Sequence, residues 1–289
     1  MESEKQRCRS NNDFGGLKRR FQNMIKMIAM DFDWTIIDHS KEKLDERVGC
    51  EFIDEMNRFI KNGNHAGIVS GRMFGAFEFE MKAMRVDWAN PFPDFLVARE
   101  AYIYQLKNNE YIEEKEYNVD MNSRIMRFNR KIAHHMDDIL DLCKNEGINV
   151  MNFITYGDFA SEISVKEEDA DRAMELVQHY INSNFEDGAV HRNCTAITVY
   201  YKPAGKGNTL LQVARIFGLK PCEILAIGDN YNDISMIDSK LGFIGGCVGN
   251  AEENIKKIVK AGGGYVGDGI AFRGVLDILK QARKDGLLE

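Results

Sequence analysis

The feature that most constrains this chain is an apolar run, Met27–Met30, that halts at two aspartates, Asp31 and Asp33, with a threonine at position 35. A run this short reads as a buried strand. Carboxylates end such a segment poorly unless something pairs with them, because buried charge is costly without a partner. Their spacing of two sets both on the same side of an extended chain.

Other short runs stop in the same way. Ala66–Val69 ends at Ser70, Gly71 and Arg72, and Glu223–Ile227 ends at Gly228 and Asp229. Between them lie segments with helical apolar spacing: 41–63, 74–85, 208–217, 233–237, a helix opening at 250–253 with Asn250 as N-cap, and 270–283. Strands alternating with helices predict a parallel sheet with helices on its faces. Asp94–Ala98 and a hairpin around Lys107–Asn109 extend it.

The middle of the chain breaks the alternation. One long helix is expected over 122–146, then strands 150–155 and 160–165, a helix over 167–184, and strand-like 190–201 with a turn at 191–193. This order predicts a small antiparallel sheet with helices on one face. The expected division is a tail at 1–23, a Rossmann-like α/β core from 24–116 and 203–289, and an inserted α+β cap at 117–202.

Composition limits the alternatives. At 289 residues, with 44% apolar and 29% charged side chains, the chain can build a sizeable core. A net charge of -7 argues against nucleic acid as a partner. Six scattered cysteines without a C-x-x-C pair fit a reducing, cytoplasmic setting. No run approaches ~18 apolar residues, so no membrane span is expected. The N-terminal stretch lacks the apolar core of a secretory signal and reads as a flexible tail. A monomer or a homodimer is expected.

Strand position carries the functional reading. In an open parallel sheet, ligands sit outside the carboxyl ends of the strands. Asp31, Ser70 and Asp229 fall at such ends, and Asp33 and Asp233 lie close by in sequence. Each close pair of carboxylates costs ~4 kcal/mol at 4 Å and an effective dielectric of 20. A cation is therefore expected, and a hard all-oxygen donor set selects Mg²⁺. Lys206, between Gly205 and Gly207, is a point charge suited to a phosphate or an aspartate. A carboxylate nucleophile, a second carboxylate for proton transfer, Mg²⁺ and a lysine suit phosphoryl transfer. Asp31 would attack, Asp33 would serve as acid and base, and Ser70 with the Gly71 amide would hold phosphate oxygens.

The motifs resemble those of the haloacid dehalogenase (HAD) superfamily, and within it the Cof-type sugar phosphatases with a type IIB cap. DFDWT at 31–35 resembles the DxDGT motif, and SGR at 70–72 the second motif. KGNTL at 206–210 resembles KGxAL, GDNYND at 228–233 matches GDxxND, and VGNAEENIKKIVK at 248–260 resembles the tail motif. The resemblance implies Asp31 as nucleophile and Asp33 as acid/base. It implies Mg²⁺ on the Asp31 and Asp229 side chains and the Asp33 carbonyl, with Asp233 orienting metal waters or Lys206. Arg72 and Asn232 would touch a small phosphorylated metabolite, a sugar phosphate foremost.

Two positions depart from the pattern. Trp34 replaces a glycine, and Arg99-Glu100 stands where the family has Asn-Gly. Two further features are weighed against simpler readings. The run His134, His135, Asp137, Asp138 reads as a polar helix face before a metal site, and Tyr156 with Asp158 at a hairpin tip offers a substrate contact. The same residues leave a phosphomutase or phosphotransferase open, and also a non-catalytic phosphate sensor.

Overall fold

The computed structural model describes residues 24–43, 46–84, 91–155 and 160–289. The expected tail at 1–23, and Tyr156 and Asp158, lie outside them. The chain begins with β1 (Met27–Met30), α1 (Cys50–Lys61), β2 (His65–Val69), α2 (Phe74–Met84) and β3 (Phe95–Ala98), then the hairpin β4 (Tyr102–Lys107) and β5 (Glu110–Glu113). Next come α3 (Lys115–Ala133), α4 (Met136–Asn145), β6 (Asn152–Thr155), β7 (Ser161–Ser164), α5 (Ala170–Asn184), β8 (Gly188–Asn193) and β9 (Ala196–Tyr201). The alternation resumes with α6 (Lys206–Ile216), β10 (Ile224–Gly228), α7 (Ile234–Ile237), β11 (Ile244–Cys247), α8 (Glu253–Ala261), β12 (Tyr265–Val266) and α9 (Phe272–Lys284).

The larger sheet runs β12-β11-β10-β1-β2-β3-β4-β5. Its first six strands are parallel, and β4 and β5 add antiparallel at one edge. Both faces of β1 are covered: Ile28 and Met30 enter one apolar cluster, Met27 and Ala29 the other. A strand buried on both sides reads as continuous apolar sequence, which is why Met27–Met30 lacks alternation. The parallel register sets Met30 beside Ile227 and Ile68, so the segments following β1, β10 and β2 emerge at one edge.

The smaller sheet, β6-β7-β9-β8, is antiparallel. Helices α3, α4 and α5 share one core with it, built on residues such as Ile125, Ile139, Val177, Ile163 and Ile197. Strand β9 alternates: Ile197, Val199 and Tyr201 are buried, while Thr198 and Tyr200 are only partly covered. Successive side chains point to opposite faces, so Thr198 and Tyr200 belong to the face away from that core.

Several expected boundaries shift. The helix of 41–63 starts only at Cys50, after Gly49, because the stretch before it carries Arg47 to His39 and Glu80. The long helix of 122–146 is two helices, beginning earlier at Lys115 and broken at His134–His135. There His135 Nδ1 lies 2.8 Å from the Tyr180 hydroxyl, which donates to Asp138 at 2.9 Å. The 190–201 stretch is the β8–β9 hairpin, turning at Cys194 and Thr195 rather than at 191–193. Asn250 does not cap a helix. α8 begins at Glu253, and the Asn250 amide instead donates to the Trp34 carbonyl and accepts from the Ala271 N–H, both at 2.9 Å. Among the described residues, no helix is long and apolar enough to cross a membrane.

Candidate active site

Asp31 follows β1 and Asp229 follows β10, on neighbouring strands. Asp229 opens a loop closed by a 3-10 turn, Tyr231–Asp233. The turn is held at its start by Asn230, whose side-chain oxygen accepts the Tyr231 N–H at 2.8 Å. It folds Asp233 back so that one carboxylate oxygen accepts the Asp229 and Asn230 N–H groups at 2.9 and 3.0 Å. The other takes Lys206 Nζ at 2.6 Å. Lys206, the first residue of α6, has a fully buried side chain and also reaches Asp31 Oδ1 at 2.8 Å. One buried ammonium therefore bridges two buried carboxylates. Burial disfavours its charge, yet Asp233 and Asp31 outweigh that and hold it protonated far above neutrality.

This spacing leaves no room at position 228. A Cβ on Gly228 would lie 2.4 Å from Asp233 Cγ. Gly228→Ala is expected to displace Asp233 and cost about 1–3 kcal/mol, as overpacking of a dense interior does. Chemical denaturation would measure this, as a lowered midpoint with an unchanged slope.

Asp31, Asp229 and Asp233 each bring a carboxylate oxygen within 4.8 Å of the others. Thr35 donates to Asp229 Oδ1 at 2.8 Å. Burial, reinforced by Asp233, pushes the Asp229 carboxyl up to about 7 against Thr35 and Lys206. Burial also raises Asp31 well above its ordinary value, opposed by Lys206 and reinforced by Asp233 and Asp229. Three buried carboxylates, two of them in contact with one ammonium, remain short of positive charge, and their donors are all hard oxygens. That combination fits a divalent cation of the Mg²⁺ type. Asp31 and Asp229 are the side chains with capacity for it, since Asp233 has both oxygens engaged.

Asp33 stands apart from this cluster. Arg72 grips its carboxylate with two hydrogen bonds, Nε at 2.7 Å and Nη2 at 2.6 Å. His39 Nε2 lies 2.7 Å from the same carboxylate, and His39 Nδ1 lies 2.6 Å from Arg47 Nη2. Arginine can only donate, so His39 Nδ1 accepts and Nε2 donates to Asp33. Glu80 closes the ring, 3.2 Å from Arg72 and 3.5 Å from Arg47. Burial disfavours the charged form of Asp33, but the His39 and Arg72 hydrogen bonds overcome it and hold this carboxyl far below the usual range.

A cavity of about 510 Å³ opens over these groups. Asp31, Asp33, Ser70, Gly71, Arg72, Asp229 and Asn232 all line it, whereas Lys206 and Asp233 sit behind them. Ser70 is buried, and its hydroxyl oxygen accepts the Arg72 N–H at 3.2 Å. Both departures noted in the sequence also line the cavity. Trp34 has φ 59, and Arg99 and Glu100 have φ 50 and 57. These are left-handed conformations that glycine or asparagine adopts with least strain. Arg99 and Glu100 occupy the two central positions of the β3–β4 turn, closed by Ala101 N–H to Ala98 O at 3.1 Å. Two positive φ values are what such a turn requires.

Sequence reasoning missed Thr35, His39, Glu162, His191, Thr198 and Tyr200. The last four come from the smaller sheet and line the cavity. The available signal was the period-two alternation of β9, which marks Thr198 and Tyr200 as facing away from their own core.

A parallel sheet with acidic groups and a buried lysine at its carboxyl edge, under a cavity roofed by a second sheet, defines a class of hydrolase. A sequence profile of haloacid dehalogenase-like hydrolases matches residues 94–272, and the chain belongs to that family. A phosphoglycolate phosphatase of Methanospirillum hungatei is 44% identical over 63 residues, 22% of this chain and 26% of that protein. One from Methanococcoides burtonii is 32% identical over 118 residues, 41% of this chain and 50% of that protein. The chain thus spans half or less of the length of these two relatives. Among solved structures, the sucrose-phosphatase of Synechocystis, in complex with sucrose and phosphate, superposes with a TM-score of 0.63 at 12% identity, covering 91% of this chain and 98% of that one.

Proposed function

We propose that the protein is a Mg²⁺-dependent phosphatase of small phosphorylated metabolites, a sugar phosphate foremost, acting through an aspartyl-phosphate on Asp31. One observation carries the reading: the buried Lys206 bridges Asp233 to Asp31, and Asp31 and Asp229 line the cavity in front of it. The relatives' names agree with the reaction class.

In this reading Lys206 pins one carboxylate oxygen of Asp31, and the other attacks phosphorus. The ester P–O bond breaks as the new P–O bond to Asp31 forms, and the leaving alkoxide takes a proton from Asp33. Water, deprotonated by Asp33, then attacks the same phosphorus and releases phosphate and free Asp31. Asp33, ionised at rest, can give a proton only after Arg72 lets go of it and it has taken one up from solvent or from a singly protonated substrate phosphate; in later turnovers the attacking water resupplies that proton. Arg72 is therefore assigned to exchange Asp33 for a phosphate oxygen when substrate enters. Ser70 and the Gly71 N–H hold further phosphate oxygens, and Asn232 contacts substrate. Asp31, Asp229 and the Asp33 carbonyl would hold Mg²⁺. When bound, the ion supplies neutralisation of charge developing on the phosphoryl oxygens. Asp233 is assigned to orient Lys206, since its oxygens are spent there and on backbone N–H groups. The stretch 117–202 is assigned as a cap over the core of 24–116 and 203–289.

The test is phosphate release from a panel of phosphate esters in Mg²⁺, with and without EDTA. We expect near-complete loss on chelation and recovery with excess Mg²⁺. Full turnover in EDTA would contradict the metal assignment.

A further inference from the structure

We infer that Trp34 is a stacking platform at the mouth of the cavity, one that selects phosphate esters whose alcohol carries a sugar ring over esters of acyclic polyols. The inference rests on the phosphatase reading and extends it to substrate choice.

Tryptophan is an unfavourable choice at position 34 for the fold alone. Its φ of 59 puts a bulky residue in the left-handed region, where the Cβ crowds the following carbonyl. The residue is 42% exposed, so its ring gains little from burial in return. Its neighbours differ: Phe32, Thr35, Ile36 and Ile37 are fully buried. The backbone is also held in place. The Trp34 N–H donates to the Ile37 carbonyl at 3.1 Å, and the Trp34 carbonyl accepts from the Asn250 amide at 2.9 Å. Thr35, the next residue, is tied to Asp229 at 2.8 Å. Strain fixed this firmly by its surroundings clusters where ligands are gripped. Glycine, which the DxDGT motif has at this position, would relieve it.

The indole stands beside the chemistry. Its ring meets the His39 imidazole edge to face, with centroids 5.2 Å apart and planes at 60°. His39 Nε2 in turn lies 2.7 Å from Asp33. The ring is therefore one side chain away from the carboxyl assigned to protonate the leaving alcohol, and it borders the cavity into which that alcohol extends. An indole face is electron-rich and attracts electropositive groups. C–H bonds on carbons that bear oxygen are such groups, and a pyranose presents several of them on one face at once. An open chain does so only by freezing its torsions, which costs conformational entropy. Amides complete the match. Asn193 on β8 and Asn230 after β10 line the same cavity, joined by Asn230 Nδ2 donating to Asn193 Oδ1 at 3.0 Å, and Asn232 lines it too. An amide both donates and accepts, as each sugar hydroxyl does.

The test compares glucose 6-phosphate with glycerol 3-phosphate by titration calorimetry, on full-length protein in Mg²⁺ with Asp31→Asn to prevent turnover. Both ligands carry a phosphate and free hydroxyls, and the first alone carries a ring. We expect glucose 6-phosphate to bind about 10-fold more tightly, the size of one good aromatic contact. Adding Trp34→Gly should abolish that preference. Adding Trp34→Phe, which keeps an aromatic face, should retain most of it and serves as the second variant should the first fail to fold. Thermal melts should give Trp34→Gly a Tm no lower than that of Asp31→Asn alone, since glycine is at ease at positive φ. A preference untouched by Trp34→Gly, equal losses for both ligands, or binding of neither would overturn the platform. Equal losses would make Trp34 a prop for His39 and Asp33. Tighter binding of adenosine 5′-monophosphate, lost in Trp34→Gly, would overturn the sugar assignment in favour of a nucleobase. Phosphate release by the wild-type protein separates this inference from the reading beneath it. A preference that depends on Trp34, with neither ester hydrolysed, leaves the platform standing and the phosphatase reading fallen. Hydrolysis of both esters at equal kcat/KM does the reverse.

Discussion

Replacing Asp31 by asparagine is expected to lower kcat for phosphate release at least 1,000-fold, about 4 kcal/mol of barrier, without destabilising the fold. The amide is close to isosteric with the carboxylate but cannot carry the phosphoryl group. The stability half of the result follows from the surroundings. Asp31 is buried beside Asp229 and Asp233, and its carboxyl is already driven toward the neutral form. Removing its charge relieves repulsion, while the amide oxygen still accepts from Lys206. Calorimetry of the metal-free variant should therefore show a Tm equal to or above that of the wild type. A site in which function and stability oppose each other behaves in this way. Undiminished phosphate release would remove Asp31 from the role of nucleophile.

Lys206→Met is expected to do the opposite, costing about 3–5 kcal/mol, the usual consequence of stripping one partner from a buried ion pair. For a chain of this size that corresponds to a Tm lower by roughly 10 °C. The methionine fills similar volume, so the loss is electrostatic. Its pH dependence has a definite sign. A carboxyl whose folded pKa is raised binds more protons in the folded state than unfolded, so stability declines as pH rises toward that pKa. For Asp229 the window runs from its ordinary value near 4 up to about 7. Without Lys206 the decline across this window should steepen, and the destabilisation should be smallest in acid. Thermal melts in EDTA from pH 4.5 to 8 would check it. A deficit independent of pH would mean that packing, rather than charge, is what Lys206 supplies.

Much of the scaffold was legible because each cue was local. A short run such as Met27–Met30, covered on both faces, has to be apolar throughout, and a polar residue marks its end. That reasoning placed Asp31, Ser70 and Asp229 at one edge, and the observed register of β1 with β10 and β2 does so. The break at His134–His135 was hidden because both sides of it share helical spacing, and it is a tertiary contact with Tyr180 that occupies the turn. Asn250 looked like a cap because its sequence neighbours suit one, yet Trp34 and Ala271, distant in sequence, claim its amide.

The order of residues alone determined which groups stand at the carboxyl edge of the sheet, because strand ends and turns are set by neighbours a few positions apart. Tertiary structure decided what those groups touch. It gave Asp33 to Arg72 and His39, spent both oxygens of Asp233, and turned one face of the smaller sheet toward the site with Glu162 and His191. Several of these pairings join residues tens of positions apart, as Asp33 with Arg72 and Lys206 with Asp233 do. Their energies depend on burial and distance, which no local pattern encodes.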